Sequence, residues 1–331
     1  MPYRFKAGES VPENIRRIVQ EEIKSGTDQL TKTRGQRDEA IHEARKTVKK
    51  IRGVLRLVRS ELGQTYKEEN QLFREVGRQL SEIRDAAALI EVFDALAVKY
   101  KDSLQQSALR GVRAGLVLAK QEGGKAANVQ KARQSADQAF RAAAKRIDSW
   151  PLKKEGFSAI APGLKLSYEA GKKALKQVQK DPTSENYHYF RRRAKDHWYQ
   201  VRLLESLWTE VQTAHENSLK KLEQWLGDDH NLVVLREKLH GEPDKFGGEE
   251  QVRLFLSLAD QYQKELRETA VSMGQRVYAQ KPKQFITDIA KLWETWREQP
   301  ESMKQQQREE RQAIRKPPQT AQRKKGKTAA A

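Results

Sequence analysis

Side chains that donate hydrogen bonds and carry, or can acquire, positive charge recur at fixed spacing in one short segment: His42, Arg45, Lys49, Arg52 and Arg56. The same types return at His188, Arg191, Lys195 and Arg202, with Arg192 beside them. The offset is 188 − 42 = 146 residues, and it maps Arg45 onto Arg191, Lys49 onto Lys195 and Arg56 onto Arg202. Guanidinium and ammonium groups set in rows are suited to holding a chain of negative charges through charge-assisted hydrogen bonds. A duplicated cationic stripe is therefore the first candidate for chemistry in this sequence.

Helical periodicity turns the spacing into geometry. At about 100° per residue, Lys49 lies at about −20° from His42, Arg56 at about −40°, Arg45 at about −60° and Arg52 at about −80°. The set shares an arc of roughly 80° along about 21 Å of helix. Ile51, Val54, Leu55, Val58 and Leu62 fall on the opposite side, so one face packs a core and the other presents charge. In the second copy His188, Arg191, Lys195 and Arg202 fall within about 60°, with Tyr199 and Arg192 adjacent. Phe190, Val201, Leu204 and Trp208 face away, and Trp198 stands where the first copy has Arg52.

A solvated helix face is the plainest alternative, but such faces mix signs so that neighbours four apart attract. Residues Ile41 to Ser60 instead hold seven Lys or Arg and one Glu. That crowding destabilises the free protein, and an anion lying between the stripes would relieve it. The histidines read best as phosphate donors whose charge depends on pH. Metal ligation finds no support in the spacing, because His197 lies about 180° from His188 and no other ligand shares its face.

Composition points the same way. The 331 residues include 64 Lys and Arg against 45 Asp and Glu, a formal net charge of +19. An excess that large favours an anionic partner such as nucleic acid, a membrane surface or another phosphate-rich polymer. Cysteine is absent, which excludes disulfides and thiolate chemistry. No segment has the length and apolarity of a signal peptide or a membrane span, so a cytoplasmic protein is expected.

The elements that must position the stripes are helices, since apolar residues recur at three- and four-residue spacing and strand alternation is missing. Ser10, Pro12 and Glu13 form a helix-start signal ahead of Ile15, Ile18, Val19 and Ile23. The first motif belongs to a helix expected from Gln36 to Leu62, ended by Gly63. Others are expected over Tyr66–Leu80, Arg84–Lys99, Asp102–Gln121 and Ala126–Asp148. In the second half, Gly163–Lys180 precedes a long motif helix opened by Asp181-Pro182 and running to about Val211. Helices over Ala214–Leu226, from Asp228 onward, over Glu250–Gln280 and over Pro282–Glu298 complete the reading. Residues 10–150 and 151–298 thus read as two helical bundles. Residues 299–331 read as a disordered basic tail, with Arg323 to Lys327 adding attraction for a polyanion.

These residues match a known family. The H-x-x-R-x-x-x-K pattern at His42 and His188, the string from Arg193 to Leu204, the run from Trp225 to Leu232 and the segment from Gly163 to Ala174 resemble the CHAD domain, the conserved histidine α-helical domain. The resemblance spans roughly Tyr3 to Gln280. It implies an all-α fold of two four-helix bundles related by a pseudo-two-fold axis, around a basic central cavity that binds inorganic polyphosphate. The implied contacts are His42, Arg45, Lys49, Arg52 and Arg56 on one helix and His188, Arg191, Arg192, Lys195 and Arg202 on the other, with Tyr168 and Lys172 besides. Some relatives carry an N-terminal triphosphate tunnel domain opened by an E-x-E-x-K strand. The stretch from Tyr3 lacks it, so a stand-alone form is expected.

The function expected is polyphosphate binding without catalysis, cofactor or metal, with polyphosphate granules as an associated location. Nucleic-acid binding through the same cations and the tail is the alternative, and a scaffold for another phosphate-rich or protein partner is less specific. Phosphotransfer would need a metal held by acids. Asp228-Asp229 are the adjacent acid pair nearest the proposed cavity, and they read as helix-start residues.

Overall fold

A computed structural model describes residues 3–31, 37–81, 85–101, 109–123 and 126–299. Every regular element among them is helical. The helices are α1 (Val11–Leu30), α2 (Arg37–Leu57), α3 (Arg59–Leu62), α4 (Gln64–Ser81), α5 (Asp85–Lys99), α6 (Arg110–Gly123), α7 (Ala126–Ala144), α8 (Ala161–Lys180), α9 (Ser184–Leu203), α10 (Thr209–Gly241), α11 (Glu249–Val277) and α12 (Pro282–Glu298). The basic segment expected from residue 299 onward, Gln299 apart, lies outside the described residues, as do Arg84 and residues 102–108.

Local signals set most helix ends. The Ser10 hydroxyl accepts from the Glu13 amide while the Glu13 carboxylate accepts from the Ser10 amide at 2.7 Å, so both halves of the capping box form. The first motif helix breaks at Val58, and the short α3 continues it to Gly63, whose φ of 53° ends the segment. The second motif helix departs further from expectation. Thr183, not Asp181, caps it by accepting from the Asn186 amide. It stops at Leu203 instead of reaching Val211, and a 3₁₀ turn over Glu205–Leu207 leads into α10. Trp208 is consequently half exposed, while Phe190, Val201 and Leu204 are buried as expected.

The largest departure is α10, which runs unbroken through Trp225-Leu-Gly-Asp-Asp229, where a break and a new helix start were expected. Gly227 is not a terminator. A Cβ there would stand 3.1 Å from the Arg191 guanidinium, so the missing side chain leaves room for Arg191 to lie along α10.

Packing forms two rings. Helix α1 lies on α2, α2 on α4, α4 on α7 and α7 back on α1; α8, α9, α10 and α11 close in the same manner. One continuous apolar core runs through both rings, from Ile51, Phe73 and Phe140 to Phe190, Leu222 and Trp293. Each such fully buried side chain contributes about 1.5–3 kcal/mol of transfer free energy. The hairpin of α5 and α6 belongs to the first half of the sequence but packs on α10 and α11, where Phe93 stacks on Phe255 at 5.3 Å. The two apolar cores therefore do not divide at residue 150.

The rings meet where the motif helices α2 and α9 pack together. Gly53 makes this approach possible, because a Cβ on it would lie 2.8 Å from Tyr199 Cβ and 3.0 Å from the Tyr3 hydroxyl. The Tyr3 hydroxyl donates to the Lys50 carbonyl at 2.8 Å and fixes the N-terminal segment across the same seam. Gly53→Val is expected to lower unfolding free energy by about 1–3 kcal/mol through this collision, with an unchanged denaturant slope. Urea denaturation checks it, and a neutral result would mean the seam is loosely packed.

Candidate anion-binding site

The seam between the rings opens into a recess of about 450 Å³. Helix α2 contributes Lys49, Arg52 and Arg56; α9 contributes Arg192, Arg193, Lys195, Asp196 and Tyr199; α4 contributes Asn70 and Arg74. Lys49, Arg52, Arg56, Arg192 and Lys195 were expected from the stripes and share this one space. Asn70, Arg74, Arg193 and Asp196 were not expected. Asn70 and Arg74 stand four apart on one helix face, a signal that gains meaning only once α4 is known to border α2.

Carboxylates from inside the protein partly satisfy the cations. Asp196 Oδ1 lies 3.0 Å from Arg56 Nη1, an ion pair that joins the two rings. On α10, Glu223 bridges Lys195 and Arg191, the latter at 3.3 Å. Arg202 pairs with Glu216 at 3.0 Å and lies over the rings of Tyr3 and Trp198, each at 5.4 Å. Lys50 is held by Glu22 of α1 at 2.8 Å. Helices α1 and α10 thus present acids to the backs of the motif helices, an arrangement invisible in the motifs themselves.

Desolvation and like charge act together on the innermost groups. Burial drives the Lys49 ammonium well below the ordinary lysine pKa, and Lys195, Arg45 and Arg191 push the same way against Glu223. Burial also lowers Lys195, with Glu223 opposing. For Arg52, burial and Arg56 bring the guanidinium down to about 10, which still leaves it charged at neutral pH. Burial alone would raise the Glu223 carboxyl, but Lys195, Arg191 and Lys49 outweigh it and the net direction is down.

The remaining predicted residues fall outside the recess lining. Arg45 and Arg191 lie close enough to act on Lys49 and Lys195. His42 is partly exposed, with Nε2 4.0 Å from the Glu43 carboxylate of its own helix. His188 packs against His230, with ring centroids 4.1 Å apart and the planes tilted by 38°. Burial, with Arg192 and Arg191, lowers its pKa, and His230 is brought down to about 4 by burial, His188 and Arg191. His188 is thus favoured as a neutral donor around physiological pH, where the sequence suggested a charge-variable one.

Tyr168 and Lys172 lie elsewhere. The Lys172 ammonium donates to the carbonyls of Tyr278, Ala279 and Gln280 at 2.7, 3.2 and 2.7 Å, closing the C-terminal end of α11. Tyr168 is buried, donates to the Gln280 carbonyl at 3.1 Å and stacks on Phe285 at 4.2 Å. Both groups hold the frame. Asp228 and Asp229 also differ from expectation, as interior residues of α10. Asp229 pairs with Arg267 at 2.6 Å, and burial pushes Asp228 up to about 6 against the pull of Arg191.

The CHAD domain family model matches residues 18–240. That span contains both motif helices and α10 up to its last residue, and the chain belongs to this family. Comparison with curated proteins finds no match. No helix among the described residues is long and apolar enough to cross a membrane.

The raised Asp228 pKa has a consequence for stability. The folded state binds a proton there more tightly than the unfolded chain, so this stabilisation is complete below the ordinary aspartate range and is lost as pH rises through about 6. Asp228→Asn is expected to raise the melting temperature by a few degrees at about pH 7.5 and to change it little at about pH 4. Thermal denaturation at both pH values tests this; equal shifts would show that charge burial is not the cause.

Proposed function

We propose that this protein binds inorganic polyphosphate without transforming it. The grip is the recess, where seven cationic side chains from three helices converge around one carboxylate among the described lining residues. That convergence is the observation that carries the reading. Lys49, Arg52, Arg56 and Arg74 take one side of the phosphate chain and Arg192, Arg193 and Lys195 the other. Arg45, Arg191, His42 and His188 extend the path along the same two helices. We read the recess as the family's basic central cavity and the two helical rings as halves related by a pseudo-two-fold axis, consistent with the fixed 146-residue offset between motifs.

Chemistry favours a phosphate polymer over a discrete small anion. Guanidinium forks match phosphate oxygens, and successive phosphates let one ligand neutralise several cations at once. Most of the affinity is electrostatic and falls with added salt. The role assigned is binding and localisation, with polyphosphate granules as the destination. Release of orthophosphate from polyphosphate in the presence of magnesium would replace this reading with an enzymatic one.

Nucleic acid remains the competing polymer. Its recognition as a single strand relies on exposed aromatic faces for base stacking. Tyr199 is buried, and Trp198 is covered by Arg202 and packed on Tyr199 at 4.9 Å. At equal phosphate concentration, long polyphosphate is expected to displace DNA; failure to do so would favour the nucleic-acid reading.

Calorimetric titration of the full chain with long polyphosphate at about 50 and 200 mM salt should show affinity dropping steeply between them. Lys49→Met combined with Arg52→Gln is expected to weaken binding by about tenfold or more and flatten the salt dependence. Melting should be unchanged or raised, because a buried like-charge contact is removed. Lys172→Met should do the reverse, lowering the melting temperature while leaving affinity intact.

A further inference from the structure

We infer that Asp196 is a specificity-determining residue of the recess, an internal counter-anion that excludes short phosphate ligands and admits long ones. This inference rests on the polyanion reading of the site. Asp196 contributes the one carboxylate among the described residues that line the recess. It lies next to Lys195 in the second motif, where its 146-residue counterpart in the first motif is Lys50. One copy of the repeat therefore carries an acid where the other carries a base.

Its contacts show what it occupies. Oδ1 lies 3.0 Å from Arg56 Nη1 of the opposite ring, and Oδ2 lies 3.3 Å from Arg193 Nη2. The carboxylate side chain is 13% exposed and Arg56 17%, so this pair is well screened from water, where ion pairs are stronger than on an open surface. Arg56 also donates to the Arg52 carbonyl at 3.2 Å, which fixes its guanidinium in place. Asp196 thus sits in the position a phosphate must take to use Arg56 and Arg193.

The consequence is a threshold. An orthophosphate or triphosphate confined to the recess gains Arg56 only by displacing Asp196, whose charge then remains beside it and repels it. A long chain engages Lys49, Arg52, Arg74 and Lys195 together and continues toward Arg45 and Arg191 beyond the lining. Its many contacts outside the Arg56–Asp196 pair let it bind with that pair left intact, so it bypasses Arg56. Selection by length then follows because the short ligand bears the displacement penalty and the long chain does not.

The test uses the full chain, titrated with orthophosphate, triphosphate and polyphosphate of about one hundred units at constant ionic strength, for wild type and Asp196→Asn. Asp196→Asn is expected to tighten triphosphate binding about tenfold and long-chain binding less than about threefold, so the length discrimination contracts. Asp196→Ser, which removes the charge with a smaller side chain, should act in the same direction, and circular dichroism melting verifies that both variants are folded. If folded variants change both affinities by the same factor, or weaken them, Asp196 is structural and this inference fails while the binding reading stands. A wild type that binds no polyphosphate would overturn both.

Discussion

The architecture depends on placing two cationic helix faces side by side. Two like charges about 4 Å apart at a protein surface repel by roughly 4 kcal/mol, and several such contacts would exceed the roughly 5–15 kcal/mol by which a domain is stable. Helices α2 and α9 nevertheless pack directly, with Gly53 against Tyr199. The fold accommodates this by bringing acids from other helices: Glu22 from α1 to Lys50, Glu223 and Glu216 from α10 to the second motif. The two ring closures are therefore electrostatic as well as apolar devices.

Compensation is incomplete where it would obstruct a ligand. Lys50, Arg191 and Arg202 each have an acid partner on a neighbouring helix, whereas the recess holds seven cations and one carboxylate among its described lining. Burial adds to this by holding the Lys49 ammonium in a medium that disfavours its charge. On the proposed reading, a polyanion entering the recess would supply the missing negative charge and would couple binding to folding by stabilising the state that presents the cations together. On that reading, the same-sign crowding in the motifs would serve to hold phosphate.

Groups close to the site in sequence divide into two roles once packing is known. Lys172, one turn after Tyr168, terminates α11 through three carbonyls and has no part in the recess. Tyr168, His197, Tyr278 and Phe285 form a buried aromatic cluster with ring separations of 4.2 to 5.5 Å that fixes α8 and α9 relative to α12. Within α9 alone, His197 faces this cluster while Lys195 and Asp196 face the recess. Different faces of one helix turn thus serve the aromatic frame and the recess, and the recess inherits its geometry from the frame.

Periodicity and charge in the sequence by themselves determined the helical class, the capping box at Ser10, the stop at Gly63 and the division of α2 into an apolar and a cationic face. These are local properties, set by 3.6-residue geometry and short-range hydrogen bonds. The motif residues Lys49, Arg52, Arg56, Arg192 and Lys195 were legible for the same reason. Tertiary structure alone decided that Asn70 and Arg74 join them, that Asp196 and Glu223 neutralise part of the charge, that α10 runs through Gly227 and that Tyr168 and Lys172 serve the frame. Each of those outcomes depends on which helix lies beside which, a question of packing between residues distant in the chain that no single-helix pattern encodes.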